Sequence, residues 1–326
     1  MSMLEVENTI VDLPTPRGML RAVDGVDLTL EAGKTLGVVG ESGSGKTMLS
    51  RAILQLLPRR AKLSGAIRFD GQDMTRIPAE TLRKLRAKSV AVVFQDPMTS
   101  LNPVLTIGTQ LTETMREHLG VSQSEAISRG IALLAEVGIP SPEQRMGNYP
   151  HQLSGGMRQR VAIAIALSCA PKLLIADEPT TALDVTVQAQ ILDLLAREQR
   201  SRHMAMMLIT HDLGVVAGRT DEVAVMYAGR VVERAPTREL FHHMRMPYTA
   251  ALMAALPKLD APPHTRLPAI GGRPPDPINP PPGCSFAPRC SYADAVCDKA
   301  KPPLSAPDRM AHQFACIRPL PVKVAA

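Results

Sequence analysis

The chain has 326 residues, of which 45% are hydrophobic and 3% aromatic, with no tryptophan and a formal net charge of +6. That length suggests about two domains, and the aromatic shortage predicts a core packed from aliphatic side chains. No run of about 18 consecutive apolar residues occurs, so no segment is expected to span a bilayer. The start, Met1-Ser2-Met3-Leu4-Glu5, lacks the charged and apolar regions of a signal peptide, so the chain is expected in the cytoplasm.

In chain order, residues 35–39 read as a short buried strand, and 46–57 carry apolar residues at helical spacing until Pro58. Between them lies Gly40-Glu41-Ser42-Gly43-Ser44-Gly45-Lys46-Thr47, which fits the phosphate-loop pattern G-x-x-x-x-G-K-[ST] in its strand-loop-helix context. Successive backbone N–H groups and the helix N-terminus would wrap the β-phosphate of ATP. Lys46 would neutralise the β- and γ-phosphates, and Thr47 would coordinate Mg2+. Residues 90–94 read as a second strand, leading into Gln95. The stretch Asp96-Pro97-Met98-Thr99-Ser100-Leu101-Asn102-Pro103 is a loop, and apolar periodicity over 107–137 predicts helices.

Leu153-Ser154-Gly155-Gly156-Met157 opens an apolar helix running to about Ser168. The apolar run 172–177 has the pattern of a central parallel strand and ends in Asp177 and Glu178. At that strand end Asp177 would reach the Mg2+ shell, and Glu178 would orient or deprotonate the attacking water. A strand over 206–210 precedes His211. Residues 223–227 and 230–233 read as a final hairpin about Ala228-Gly229.

Beyond this hairpin the composition changes. From Pro257 onward lie 16 of the 29 prolines, and residues 236–326 hold four of the five cysteines and 11 Lys plus Arg against 6 Asp plus Glu. Proline at that density predicts a turn-rich tail. Its positive charge suits an anionic membrane leaflet or an acidic partner, or an ordinary solvated surface. Nucleic-acid binding has no supporting motif. Cys169, inside an apolar helix, reads as a small buried hydrophobe.

These motifs resemble the nucleotide-binding subunits of ABC transporters. The resemblance implies an α/β fold: a P-loop NTPase ABC nucleotide-binding domain with a RecA-like core, a helical subdomain and an antiparallel β edge. It makes Ser154, Gly155, Gly156 and Met157 the signature loop that faces ATP held by a second subunit. It makes Gln95 the Q-loop glutamine, a ligand of Mg2+ and neighbour of the membrane partner. Ala182-Leu183-Asp184 becomes the D-loop, and His211 the switch histidine at the γ-phosphate. Met98 and Leu101 would contact a membrane subunit or belong to the helical subdomain's core. The family's adenine-stacking aromatic is missing, since no Phe, Tyr or Trp precedes Phe69. Leu20, Arg21 or Val23 would pack on the base instead, with weakened discrimination between ATP and GTP.

The tail narrows the resemblance. Pro247-Tyr248-Thr249 with Leu252 and Pro257, and Gly283-Cys284-x-Phe286-x-x-Arg289-Cys290 leading to Cys297, His312 and Cys316, resemble the D-type ATP-binding subunits of oligopeptide/dipeptide ABC importers. This implies an ATP-binding domain over 1–235, with its helical subdomain at about 96–160, and an importer-type C-terminal domain over 236–326. It implies ATP hydrolysis that energises di- and oligopeptide import. The partners would be a second ATPase in a heterodimer, two transmembrane permeases and an extracytoplasmic peptide-binding protein, at the cytoplasmic face of the bacterial inner membrane. An importer of another cargo (an opine, glutathione, a metal chelate or a peptide antibiotic) and a soluble ABC ATPase are the alternative readings. For Cys284, Cys290, Cys297 and Cys316, disulfides are disfavoured in a reducing cytoplasm. A [4Fe–4S] cluster, a structural zinc and unligated thiols stay open, and some importer ATPases with a similar pattern bind the cluster.

Overall fold

The computed structural model describes residues 2–96, 100–181, 183–256, 268–306 and 311–321. The elements begin with β1 (Ser2–Thr15), β2 (Gly18–Glu31), β3 (Thr35–Val39), α1 (Lys46–Ile53), β4 (Lys62–Phe69) and β5 (Gln72–Asp73). Next come α2 (Ala79–Lys88), β6 (Val90–Val93), α3 (Ile107–Leu119), α4 (Gln123–Glu136), α5 (Pro142–Arg145), α6 (Gly155–Leu167) and β7 (Leu173–Asp177). The chain continues through α7 (Val185–Ser201), β8 (Ala205–Thr210), α8 (Leu213–Val216), β9 (Glu222–Tyr227) and β10 (Arg230–Pro236). It closes with α9 (Thr237–His242), α10 (Pro247–Ala254) and β11 (Gln313–Phe314).

Two compact units divide these elements: Met1–Met3, Leu30–Lys34 and Arg76–Ile209 form one, and Leu4–Thr29, Thr35–Thr75 and Thr210–Ala326 the other. In the first, β7 lies between parallel β6 and β8, in register from Val90↔Leu173 to Val93↔Ala176 and from Leu173↔Ala205 to Asp177↔Ile209. Every residue of β7 and β8 is buried, as an all-apolar run requires when both sheet faces are covered. The predicted helical stretch over 107–137 is two helices, because Gly120 at φ +70° ends α3 in a left-handed cap. Thr106 and Ser122 cap α3 and α4 by accepting from the N–H groups of Thr109 and Glu125. Ile107, Leu111, Met115, Leu134, Val161 and Ile163 form the buried apolar centre of this unit. Leu101 is buried; Met98 and Ala182 lie outside the described residues.

In the second unit β3 pairs parallel with β9, and β9 turns back into antiparallel β10. The hairpin turn places Ala228 and Gly229 at φ +47° and +81°, the left-handed pair that a two-residue turn matched to strand twist demands. A separate antiparallel sheet runs β2-β1-β4-β5, with β1 and β4 in register from Leu4↔Phe69 to Asp12↔Lys62 across a bulge between Glu7 and Ile10. Three expectations need adjusting. Helix α1 stops at Ile53 and does not continue to residue 57, because Gln55 takes φ +54°. The region after the hairpin is not uniformly turn-rich: α9 and α10 precede the proline-dense part, where neither needs an interior proline. The tail also returns to the sheet, where β11 adds to β10 through Glu233↔Phe314 and Arg234↔Gln313. No helix among the described residues is long and apolar enough to cross a membrane.

Candidate nucleotide-binding and hydrolysis site

The phosphate loop joins β3 to α1 within the second unit. A Cβ at Gly40 would lie 2.1 Å from the Met226 carbonyl oxygen, and one at Gly45 (φ +102°) would lie 2.4 Å from that of Ala22. Both positions therefore exclude any side chain, and the loop keeps its path by close backbone approach. Gly45 is also the N-cap of α1, so no side chain caps this helix, and its first turn carries no acidic residue. Both features suit an anion at the helix N-terminus. Lys46 is buried, its Nζ donating to the carbonyls of Gly40 (2.7 Å) and Glu41 (2.9 Å) and to Ser44 Oγ (3.4 Å). Ser42 and Gly43 are exposed, and Thr47 is half-buried. Glu41 is held from the tail: its N–H donates to the Tyr248 hydroxyl, and its carboxylate pairs with Arg289.

In the first unit, Asp177 ends β7 and is 3% exposed. Glu178 follows at φ +48°, a left-handed conformation that costs a non-glycine residue about 1–2 kcal/mol. Its N–H donates to Ile209 O (2.9 Å). Gln95 Nε2 (2.9 Å) and Thr181 Oγ1 (3.1 Å) both donate to the same carboxylate oxygen, Oε2. The structure thus brings together the predicted Gln95 and Glu178 and adds Thr181.

Ser154 caps α6, its Oγ accepting from the Met157 N–H at 3.3 Å. Asp184 caps α7 the same way, accepting from Val187 N–H at 2.9 Å. Gly155 and Gly156 face Leu183 and Val187, and a Cβ at Gly156 would come within 2.8 Å of Val187. The signature segment and the start of α7 therefore pack as one ledge. In the second unit, His211 is exposed in the turn after β8. Its neighbour Asp212 caps the short α8 by accepting from Gly214 N–H at 2.7 Å.

Two family models match the sequence. The ABC transporter family covers residues 23–181, and the oligopeptide/dipeptide transporter C-terminal region covers 232–297. The chain is 48% identical over 298 residues to the oligopeptide transport ATP-binding protein OppD of Haemophilus influenzae, spanning 91% of this chain and 92% of that one. It is also 48% identical over 320 residues to OppD of Salmonella typhimurium, spanning 98% and 94%. The chain belongs to the ABC transporter family. Among solved structures, this ABC protein resembles the dimeric ATP-binding cassette MJ0796 bound to ADP and Pi, with a TM-score of 0.65 and 27% identity over 72% of this chain and 99% of that one. It also resembles cbiO1 of Clostridium perfringens, with a TM-score of 0.63 and 30% identity over 74% and 90%. The fold is that of an ABC ATPase cassette.

One candidate for the base-binding position of this ABC cassette drops out. Val23 is fully buried in β2 and offers no surface to a base. Arg21 is engaged by Asp12 and Asp24, and Leu20 is half-buried. Met19, which the sequence reading passed over, is 44% exposed beside them.

In the tail of the ABC chain, Cys284, Cys290, Cys297 and Cys316 all line one small pocket, with Met246, Phe286 and Tyr292 among its other walls. Burial pushes the thiols of Cys284 and Cys290 up from their ordinary value and that of Cys316 to about 11. Unligated, Cys316 would stay a protonated thiol at neutral pH. Among the described residues, no three His, Cys, Asp or Glu side chains are grouped closely enough to hold a metal ion. Cys169 lies just past the end of α6 and not inside a helix as expected, because that helix stops at Leu167; it is buried, with Sγ 3.9 Å from Thr114 O, as a small packing residue would be.

Proposed function

We propose that this chain is the ATP-hydrolysing subunit that energises import of di- and oligopeptides through a multi-subunit ABC transporter. The observation that carries it is the joint presence of the cassette and the oligopeptide/dipeptide transporter C-terminal region in one chain. The relatives named for oligopeptide transport support it along nearly the whole length. The division falls at 1–235 for the ATP-binding domain, with its helical subdomain at about 96–160, and 236–326 for the importer-type domain.

The residues take roles from their chemistry. Amides of the loop from Ser42 to Thr47 and the Lys46 ammonium bind the phosphates. Thr47, Gln95 and Asp177 would hold Mg2+, which neutralises charge on the phosphate oxygens. Glu178 accepts the proton of the attacking water, oriented by Gln95 and Thr181, and His211 contacts the γ-phosphate. Ser154, Gly155, Gly156 and Met157 present the α6 N-terminus to ATP held by a second ATPase subunit, so two subunits close head-to-tail over two nucleotides. The residues after Gln95 pass closure to two permeases, which receive peptide from an extracytoplasmic binding protein. The chain therefore works at the cytoplasmic face of the membrane. Uptake of labelled di- and oligopeptides by cells carrying the wild type or Glu178→Gln tests this reading.

The four tail cysteines hold a [4Fe–4S] cluster in this account, which their shared pocket supports. Iron and sulfide in near-equal amounts from anaerobically purified protein are expected, and their loss in Cys290→Ser. Stoichiometric zinc without sulfide would contradict it.

A further inference from the structure

A carboxylate in the phosphate loop is an electrostatic problem. Glu41 follows the first glycine of a loop built to gather negative phosphates, and an unpaired anion there would repel a nucleoside triphosphate. The tail supplies the answer from a residue 248 positions away. Arg289 Nη1 and Nη2 donate to the two Glu41 oxygens at 2.7 and 2.9 Å, a bidentate fork that lysine could not reproduce. Its remaining N–H groups also have acceptors: Nη1 reaches Tyr227 OH (3.2 Å), Nε reaches Gly271 O (2.9 Å) and Nη2 reaches Ile270 O (3.4 Å). The guanidinium lies near the rings of Tyr227 and Phe286, and its side chain is 4% exposed. All five donors are used, and the cation is immobilised. A second contact from the tail acts on the backbone. The Glu41 N–H donates to the hydroxyl of Tyr248 at 2.9 Å, and Tyr248 is fully buried against Tyr227 and Phe286. This fixes the Glu41 amide away from the anion and leaves phosphate binding to the amides that follow.

We infer that Arg289 is a positioning residue of the nucleotide site: by neutralising Glu41 it keeps the loop attractive to triphosphate, while Tyr248 fixes where the loop begins. The affinity of the cassette for ATP is thus set partly by the C-terminal region. This rests on residues 40–47 being the ATP phosphate loop.

The test is equilibrium binding of MgATP and MgADP to the full chain and its variants, with thermal unfolding alongside. A unit charge at roughly 10 Å in an effective dielectric of about 20 changes affinity by about tenfold, so Arg289→Ala should weaken MgATP by that factor and MgADP by less. Glu41→Gln added to Arg289→Ala should restore MgATP to within about threefold of wild type, although the melting temperature stays low. A pair that merely staples the tail would give no such rescue. Binding unchanged in Arg289→Ala, or a double variant as weak as the single, would overturn the inference. Should Arg289→Ala fail to fold, Glu41→Gln alone decides: MgATP at least as tight as wild type supports the inference, and weaker binding overturns it. Lys46→Ala separates the underlying reading, since undiminished ATP binding there would mean that the loop itself was misassigned.

Discussion

Glu178 adopts a left-handed backbone that its neighbour Pro179 does nothing to relieve, since a residue before proline is also kept out of the right-handed helical region. The bonds from Gln95 and Thr181 to its carboxylate, and its own N–H bond to Ile209 O, hold it there. A hydrogen bond to a charged group contributes about 1.5 kcal/mol or more. Thr181→Val should therefore lower kcat about tenfold while leaving the melting temperature near wild type. An unchanged kcat would mean that Thr181 does not order the carboxylate. Glu178 and Gln95 were readable because each follows closely on a strand at a motif position. Thr181 was not, because a hydroxyl three residues past an acid reads as a turn residue. Arg289 lies in the tail motif, but its partner Glu41 lies far off in sequence and no spacing rule connects them.

Helix α6 shows why one residue type can serve two ends. Ser154 satisfies an orphan N–H at the helix start, and the same N-terminus is the proposed contact to the partner's ATP. Ser154→Ala should cost about 1 kcal/mol of stability through the lost cap. Ser154→Asp keeps a capping oxygen, so its stability should stay near wild type, while its negative charge opposes a phosphate and lowers ATP hydrolysis by about tenfold. Wild-type hydrolysis by Ser154→Asp, measured with thermal unfolding as the control, would remove α6 from the nucleotide site. Among the elements, β3, β7 and β8 were legible as unbroken apolar runs. The long β1 was not, because its bulge between Glu7 and Ile10 breaks the alternation that announces a strand. The two residues of β11 carry no pattern; their partner strand lies some eighty positions earlier and supplies the reason for their form.

The tail is built into its unit, with β11 on β10, Lys301 on Asp24 and Arg289 on Glu41. This changes the meaning of its positive charge. Lys301 and Arg289 are paired with acids outside the segment, Asp24 and Glu41, so the formal excess over 236–326 overstates what a membrane or acidic partner would meet. Composition counts charges without their partners, and for that reason it could not distinguish a solvated basic appendage from an integrated one. The phosphate loop and the acids after β7 announced a nucleotide hydrolase from sequence because their chemistry fixes residue types at short spacing. The tail's function depends on long-range contacts and on the pocket shared by four cysteines, and these needed the structure.

The measurement that bears most directly on the whole account is uptake of labelled di- and oligopeptides by cells whose copy of this chain is wild type or Glu178→Gln. Loss of the proposed general base should lower turnover by about a hundredfold or more, so uptake should fall to background in the variant while the chain still folds and binds ATP. Peptide uptake at the wild-type rate in Glu178→Gln cells would contradict an ATP-driven peptide importer powered by this subunit.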